Sequence, residues 1–196
     1  MAFIKTPDRE ENASVAQMYS SAEASYGYLP NMHKVFGYRP EVMQAWTALL
    51  GAIRGQMSLR RYELVTLAAA RELKSSYCML AHASVLKREG LAEADIAAIA
   101  QLEPAAPLDQ LERDIMLFAG KVVREASSVT ASDIDRLVAH GLSDAEIFDI
   151  VAAAAARCFF SKVLDGLGAE ADAVYRNTLG DALFATLVVG RVPEGS

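Results

Sequence analysis

Glu63-Leu-Val-Thr-Leu-Ala-Ala-Ala-Arg-Glu-Leu-Lys74-Ser75-Ser76-Tyr77-Cys78-Met79-Leu80-Ala81-His82 is the stretch on which the reading of this chain turns. It is apolar and Ala-rich at helical spacing, with three side chains able to act as acid, base or nucleophile near neutral pH. Cys78 and His82 are four apart, so a continuous helix puts them on one face, one turn from each other. At that spacing an imidazole can take the thiol proton and stabilise the thiolate, the reactive form of cysteine. Glu63 precedes Cys78 by fifteen residues, about four turns of unbroken helix, so it meets the pair only if the chain folds back. Lys74-Ser75-Ser76 supplies the break, because serine caps a new helix well. A cap at Ser75 also puts Cys78 in a first turn, where free backbone N–H groups and the helix dipole favour a thiolate.

Glu63, eleven residues, Ser75, two residues, Cys78, three residues, His82 resembles the Glu-x11-Cys-x2-Cys-x3-His signature of the alkylhydroperoxidase D group. That group lies within the carboxymuconolactone decarboxylase superfamily of small helical oligomers. The resemblance covers these twenty residues directly. A lead-in through Tyr28, Leu29, Pro30, Asn31, Arg39, Pro40 and Glu41 is also similar to the superfamily's. It implies an all-α fold of the alkylhydroperoxidase D-like type, with Cys78, His82 and Glu63 as catalytic residues and Ser75 and Tyr77 supporting them. One departure matters: the first cysteine of the group's redox pair is Ser75 here, so the local disulfide cannot form.

Composition sets bounds around this site. With 196 residues, 53% of them hydrophobic, the chain is long enough for a substantial core. A net charge of −6 with no basic run disfavours nucleic acid as a partner. Two cysteines make no disulfide framework, so the expected setting is the cytoplasm, where thiols stay free. Neither a signal-peptide core nor a stretch of membrane-spanning length is present, so no membrane association is expected. His33, His82 and His140 are scattered, and Cys78, His82 and Glu63 lack a visible fourth zinc ligand. Neither a metal nor a cofactor is expected.

In chain order the pattern reads as eight or nine helices in a single domain, 1–196. Residues 1–13 form an arm, followed by helices over 14–25 and from Asn31, as cap, through Phe36. Pro40 opens a helix to Arg54, and Ser58 caps another over 59–73 carrying Glu63. Helices follow over 76–89, 92–101, 108–126, 131–139 and from Asp144 to Leu164, with 169–178 continuing helical. His140 at a helix C-terminus is accounted for by the dipole. The apolar tail 181–196 is expected to pack on a partner subunit, making the protein a homo-oligomer. There is also an internal echo. Glu146, Cys158, Ser161 and Asp165 repeat the spacing of Glu63, Ser75, Cys78 and His82, which suggests a diverged duplication or a chance likeness of Ala-rich helices.

Three classes of function fit these residues. The first is a thiol-dependent peroxidase acting on a small peroxide, with Cys78 forming a sulfenic acid, His82 as base, Glu63 as proton relay and an outside thiol as reductant. The second is a cysteine-independent lyase or decarboxylase in which His82 and Glu63 move protons. Arg71 or Arg157 would then anchor a substrate carboxylate. The third is a non-catalytic helical oligomer with a vestigial site. In the thiol reading, Cys78 is expected to alkylate faster than Cys158.

Overall fold

The structure is a computed structural model that describes residues 2–193. Eleven α-helices and two short 3-10 turns make up the regular structure of that range, with no strand among the described residues. Nine helices have seven residues or more, and two six-residue helices take the count above the expected eight or nine. The helices are α1 (Ala13–Tyr26), α2 (Asn31–Phe36), α3 (Pro40–Arg54), α4 (Leu59–Glu72), α5 (Ser76–Arg88) and α6 (Glu93–Gln101). They continue with α7 (Gln110–Glu125), α8 (Ala131–Ala139), α9 (Asp144–Gly166), α10 (Val174–Leu179) and α11 (Asp181–Leu187).

α4 is the centre. Every residue from Tyr62 to Ala70 is buried, because α5, α7 and α9 pack around it. A helix covered on all sides has no solvent face for polar residues, and this one is mostly Leu, Val and Ala there. The alanines let neighbouring backbones approach, as does Gly120 on α7, where an added Cβ would stand 3.3 Å from the Glu72 side chain. Glu63 and Thr66 are the polar exceptions, at 2% and 0% exposure. A buried carboxylate needs a partner, and the fold supplies one from α5.

The chain folds back between α4 and α5 at Lys74, which takes a left-handed conformation with φ of 54°. Such a conformation is uncommon for a residue with a Cβ. The Ser75 N–H closes the end of α4 by bonding the Ala70 carbonyl at 2.9 Å. Ser75 occupies the N-cap position of α5, but its hydroxyl makes no capping bond. The expected cap is therefore one of position only.

Elsewhere boundaries fall close to the expected ones, with three corrections. Asn31 is the first residue of α2 rather than its cap, and its side chain donates to the Glu170 carbonyl. Residues 169–173 are not helical, because α9 ends at Gly166 and Gly168 turns the chain with φ of 71°. The apolar residues expected to need a partner subunit are largely covered by this chain: Leu183, Phe184 and Leu187 of α11 are buried against α5, α6 and α10. Met1 of the expected arm and residues 194–196 of the expected tail lie outside the described residues. The arm itself is fastened, through the Phe3 N–H to the Leu167 carbonyl at 2.8 Å and the Tyr19 hydroxyl to the Pro7 carbonyl at 3.0 Å.

Beyond α11 the chain crosses the start of α5. The Gly190 N–H donates to the Ser76 hydroxyl at 3.0 Å, and an added Cβ at Gly190 would stand 1.8 Å from the Lys74 carbonyl oxygen. Arg191 follows, donating to the Asp165 carbonyl at 2.9 Å and lying over the Phe3 ring. Phe3 and Arg191 thus bring the two terminal segments together, with Gly190 against the α4–α5 break.

Candidate active site

The fold-back brings Glu63 and His82 together. His82 Nδ1 and Glu63 Oε2 are 2.6 Å apart, with the Glu63 side chain 2% and the His82 side chain 15% exposed. Burial pushes the imidazole below its ordinary value, and the positive charge of Arg157 lowers it further. Glu63 pulls the other way without reversing the shift. His82 is therefore neutral at physiological pH. With Nδ1 against a carboxylate, the proton sits on Nδ1 and the lone pair on Nε2 is left free to act as a base.

Cys78 occupies the third position of α5, in the first turn as expected, and is 1% exposed. Its sulfur has a different partner from the one anticipated. The Ser161 hydroxyl of α9 donates to Cys78 Sγ at 3.1 Å, and no hydrogen bond joins Cys78 to His82. The physical reason is that His82 is turned to the buried carboxylate on α4, while the thiol faces α9. Cys158 is half-buried, and its thiol reaches the Ala154 carbonyl at 3.7 Å in the manner of a structural cysteine. The accessibilities oppose the expectation that Cys78 alkylates first: a bulky reagent meets Cys158 more readily.

Ser75 is fully buried. Its hydroxyl forms no full hydrogen bond but lies near enough to Asp165 to hold down a carboxyl that burial otherwise raises. Tyr77 points away from the thiol. Its hydroxyl donates to Asp172 at 2.5 Å and accepts from the Met32 N–H at 3.2 Å, tying α5 to the start of α2. Burial raises the Tyr77 phenol well above its usual range, so it stays protonated. Its surroundings are those of a structural tyrosine. Nothing in the sequence near Tyr77 signals Asp172, which lies 95 residues away.

A cationic wall stands beside His82. The Tyr62 ring lies 6.1 Å from the imidazole, and the Tyr62 hydroxyl accepts from Arg157 Nη2 at 3.0 Å. Arg54, on the outer side, covers the Tyr62 ring at 5.2 Å. Of the two candidate anchors, Arg157 is here, whereas Arg71 pairs with Glu72 at 3.6 Å. The echo of spacing falls within a single helix, α9, with Glu146 at the N-terminus paired to Arg61 and Ser161 four turns on. His140 pairs with Asp114 at 2.9 Å rather than with any residue of this cluster, and His33 is buried beside Tyr26. Depressions along α7, both lined by Leu117 and Lys121 and one of them reaching α8, share no residue with the site. No cluster suited to a metal ion occurs among the described residues.

Comparison with known proteins adds a family likeness. The sequence model of the carboxymuconolactone decarboxylase family matches residues 40–119, which include all of α3–α6 and the signature. A search of curated proteins finds no match. Among solved structures, the chain is similar to an uncharacterized peroxidase-related protein with an alkylhydroperoxidase core from Ralstonia eutropha JMP134. That match has a TM-score of 0.79 and 20% identity over 97% of this chain and 98% of that one. It is similar also to an uncharacterized peroxidase-related protein from Silicibacter sp. TM1040, with a TM-score of 0.80 and 21% identity over 92% and 95%. A third likeness is to a cysteine-to-alanine form of the debrominase Bmp8 in complex with 2,3,4-tribromopyrrole, with a TM-score of 0.73 and 17% identity over 90% and 95%. At these identities the structures speak for the fold, and the family match falls on the segment that carries Glu63, Cys78 and His82. Together they show an all-α fold of the alkylhydroperoxidase D-like type and a likeness of residues 40–119 to the carboxymuconolactone decarboxylase family.

Proposed function

We propose that the protein is a single-cysteine, thiol-dependent peroxidase in which Cys78 is oxidised, His82 moves the proton and Glu63 fixes the imidazole. The observation that carries this reading is the 2.6 Å Glu63–His82 pair, one helical turn from a cysteine in the first turn of the same helix. His82 Nε2 removes the thiol proton, directly or through one water. The Cys78 sulfur then attacks the distal oxygen of a peroxide ROOH and the O–O bond breaks. The departing alkoxide takes the proton from His82, leaving a sulfenic acid on Cys78 and ROH. With serine at position 75, no neighbouring thiol resolves this state. An external thiol attacks the sulfenic sulfur and releases water, and a second thiol reduces the mixed disulfide.

The same proposal includes one domain, self-association and a cytoplasmic setting that keeps both thiols reduced. Self-association is supported by an exposed apolar stripe along α9, where Phe148 (69% exposed) and Phe159 (45%) flank small alanines. The test is peroxide consumption with a dithiol reductant, alongside dimedone trapping at Cys78. Cys78→Ser is expected to abolish both. Equal turnover by Cys78→Ser would remove the thiol mechanism.

A second reading has an observation in its favour. Cys78 is almost sealed while His82 retains some exposure. A lyase or decarboxylase using only His82 and Glu63 needs no accessible thiol. It predicts full activity of Cys78→Ser on a small carboxylated substrate, and an inert Cys78 with no such activity leaves the vestigial, non-catalytic oligomer.

A further inference from the structure

Arg157 lies in the second half of α9 at 3% exposure, yet among the described residues it forms no ion pair. Its Nη2 donates to the Tyr62 hydroxyl at 3.0 Å, a neutral acceptor, while Nε is buried without any hydrogen-bond partner. The buried Glu63 carboxylate is already committed to His82. A buried guanidinium with no carboxylate against it is unusual, because both its charge and its N–H groups lose water and regain only part of what they lost. The surroundings are aromatic. The guanidinium carbon stands 5.7 Å from the Trp46 ring centre and 5.6 Å from that of Phe160. Trp46, Phe160 and Phe36 form one stack, at 5.0 and 5.5 Å between neighbouring centres. Cation–π contact offsets part of the cost, but rings accept no in-plane hydrogen bond, so the Nε–H stays buried and unpaired.

We infer that Arg157 is the anchor of a ligand subsite for a small organic carboxylate, whose oxygens take the unpaired guanidinium edge and whose flat apolar body lies among Trp46, Phe160 and Tyr62. Guanidinium and carboxylate match as two forks, and the pairing gains strength where water is excluded. Tyr62 ties the subsite to the chemistry, since its hydroxyl orients Arg157 and its ring borders His82. Phe159, exposed and 5.7 Å from the Trp46 ring, borders the subsite on its solvent side. The inference rests on the proposed function only in making this carboxylate part of the substrate acted on beside His82. A peroxide substrate of this site would then be a hydroperoxide that carries an acid group.

Trp46 is the sole tryptophan of the chain, so its emission reports the subsite directly. The probe is benzoate, with benzamide as a control of the same shape without charge. Benzoate is expected to change Trp46 emission saturably and benzamide to leave it unchanged. Arg157→Lys, which keeps the charge but not the fork, is expected to weaken benzoate binding by about tenfold or more. Arg157→Gln is expected to abolish it. Should either variant fail to fold by circular dichroism, the benzoate–benzamide comparison on the wild-type protein decides alone, and Tyr62→Phe supplies a milder variant that weakens binding. Equal responses to the two probes, no response to benzoate, or undiminished benzoate binding in a folded Arg157 variant would each overturn the subsite. The Cys78→Ser protein separates the two claims: it is expected to bind benzoate normally while consuming no peroxide. Benzoate binding without wild-type peroxide turnover would sink the peroxidase alone, and turnover without benzoate binding would sink the subsite alone.

Discussion

Ser161 on α9 donates its hydroxyl to the Cys78 thiol on α5 at 3.1 Å, with both side chains buried. This bond strengthens when the sulfur carries charge, because hydrogen bonds to ionised groups exceed those to neutral ones. Ser161→Ala is therefore expected to slow oxidation of Cys78 by roughly tenfold while leaving the helical circular dichroism unchanged. Stopped-flow measurement of sulfenic acid formation checks this, and an unchanged rate would make the contact one of packing only.

Glu63→Gln tests the relay. The amide keeps the shape but loses the negative charge that stabilises the His82 imidazolium, so turnover is expected to fall by on the order of a hundredfold. In the wild type the imidazole must be neutral to act as a base, and burial holds it below its ordinary value. The rate is thus expected to be level above about pH 6.5 and to fall on the acid side. A rate that falls with rising pH instead would assign His82 a different role.

The substitution Ser75→Cys restores the thiol that the family signature has and this chain lacks. Residue 75 is three before Cys78 at a helix start, and its present hydroxyl makes no full hydrogen bond that a thiol would lose. Peroxide is expected to convert the variant to a disulfide between positions 75 and 78, with less trappable sulfenic acid and faster turnover with a dithiol. Mass spectrometry of the peptide spanning 75–87 reads the bridge. Its absence would show that the two side chains do not meet.

Most of the fold was legible because helical periodicity and Pro, Ser and Gly punctuation are local signals. The helix from Pro40 to Arg54 and the fold-back before Ser76 follow from neighbours in sequence. Glu63 and His82 were legible as a pair for the same reason, since one break brings antiparallel helices together. The partners from α9 were not. Ser161 was visible only as a position in a spacing echo, and Arg157 only as one of two possible anchors. Contacts 83 and 95 residues apart depend on how helices pack, and an Ala-rich surface gives little indication of which face meets which. The tail was misjudged for a related reason: apolarity shows that α11 must be covered but not by what.

Acid sensitivity follows from two histidines. Burial lowers the pKa of both His33 and His82. In the unfolded chain each titrates near 6.5, so below that pH the unfolded state binds protons first. The stability tied to their neutral forms is complete above about pH 6.5 and is lost as pH falls through the folded values. Asp165 and Asp172, raised by burial, act in the opposite sense at lower pH, where protonation relieves their cost. The thermal midpoint is expected to drop between about pH 7 and pH 5. His33→Phe should flatten that slope, since the His33 Nδ1 has no hydrogen-bond partner to lose. An unaltered slope in this variant would place the acid sensitivity elsewhere.

Gly190 meets Lys74 too closely for any side chain. Gly190→Ala is expected to lift the crossing segment and cost about 1–3 kcal/mol, and to make Cys78 more reactive toward iodoacetamide. Thermal denaturation and timed alkylation measure the two effects, and an alanine variant as stable and as closed as the parent would mean that the contact relaxes freely.

That crossing also imposes an order of events on biosynthesis. The helix that carries Cys78 is made first, and the residue that bonds its opening turn is added 114 residues later. Throughout that interval the nascent thiol lacks its final cover, and Ser161 too has yet to be joined to the chain. Oxidant present during translation therefore meets a more open cysteine than the finished protein offers, and overproduced protein made under aeration is expected to carry Cys78 adducts of bulky oxidants that treatment after folding would reproduce only slowly.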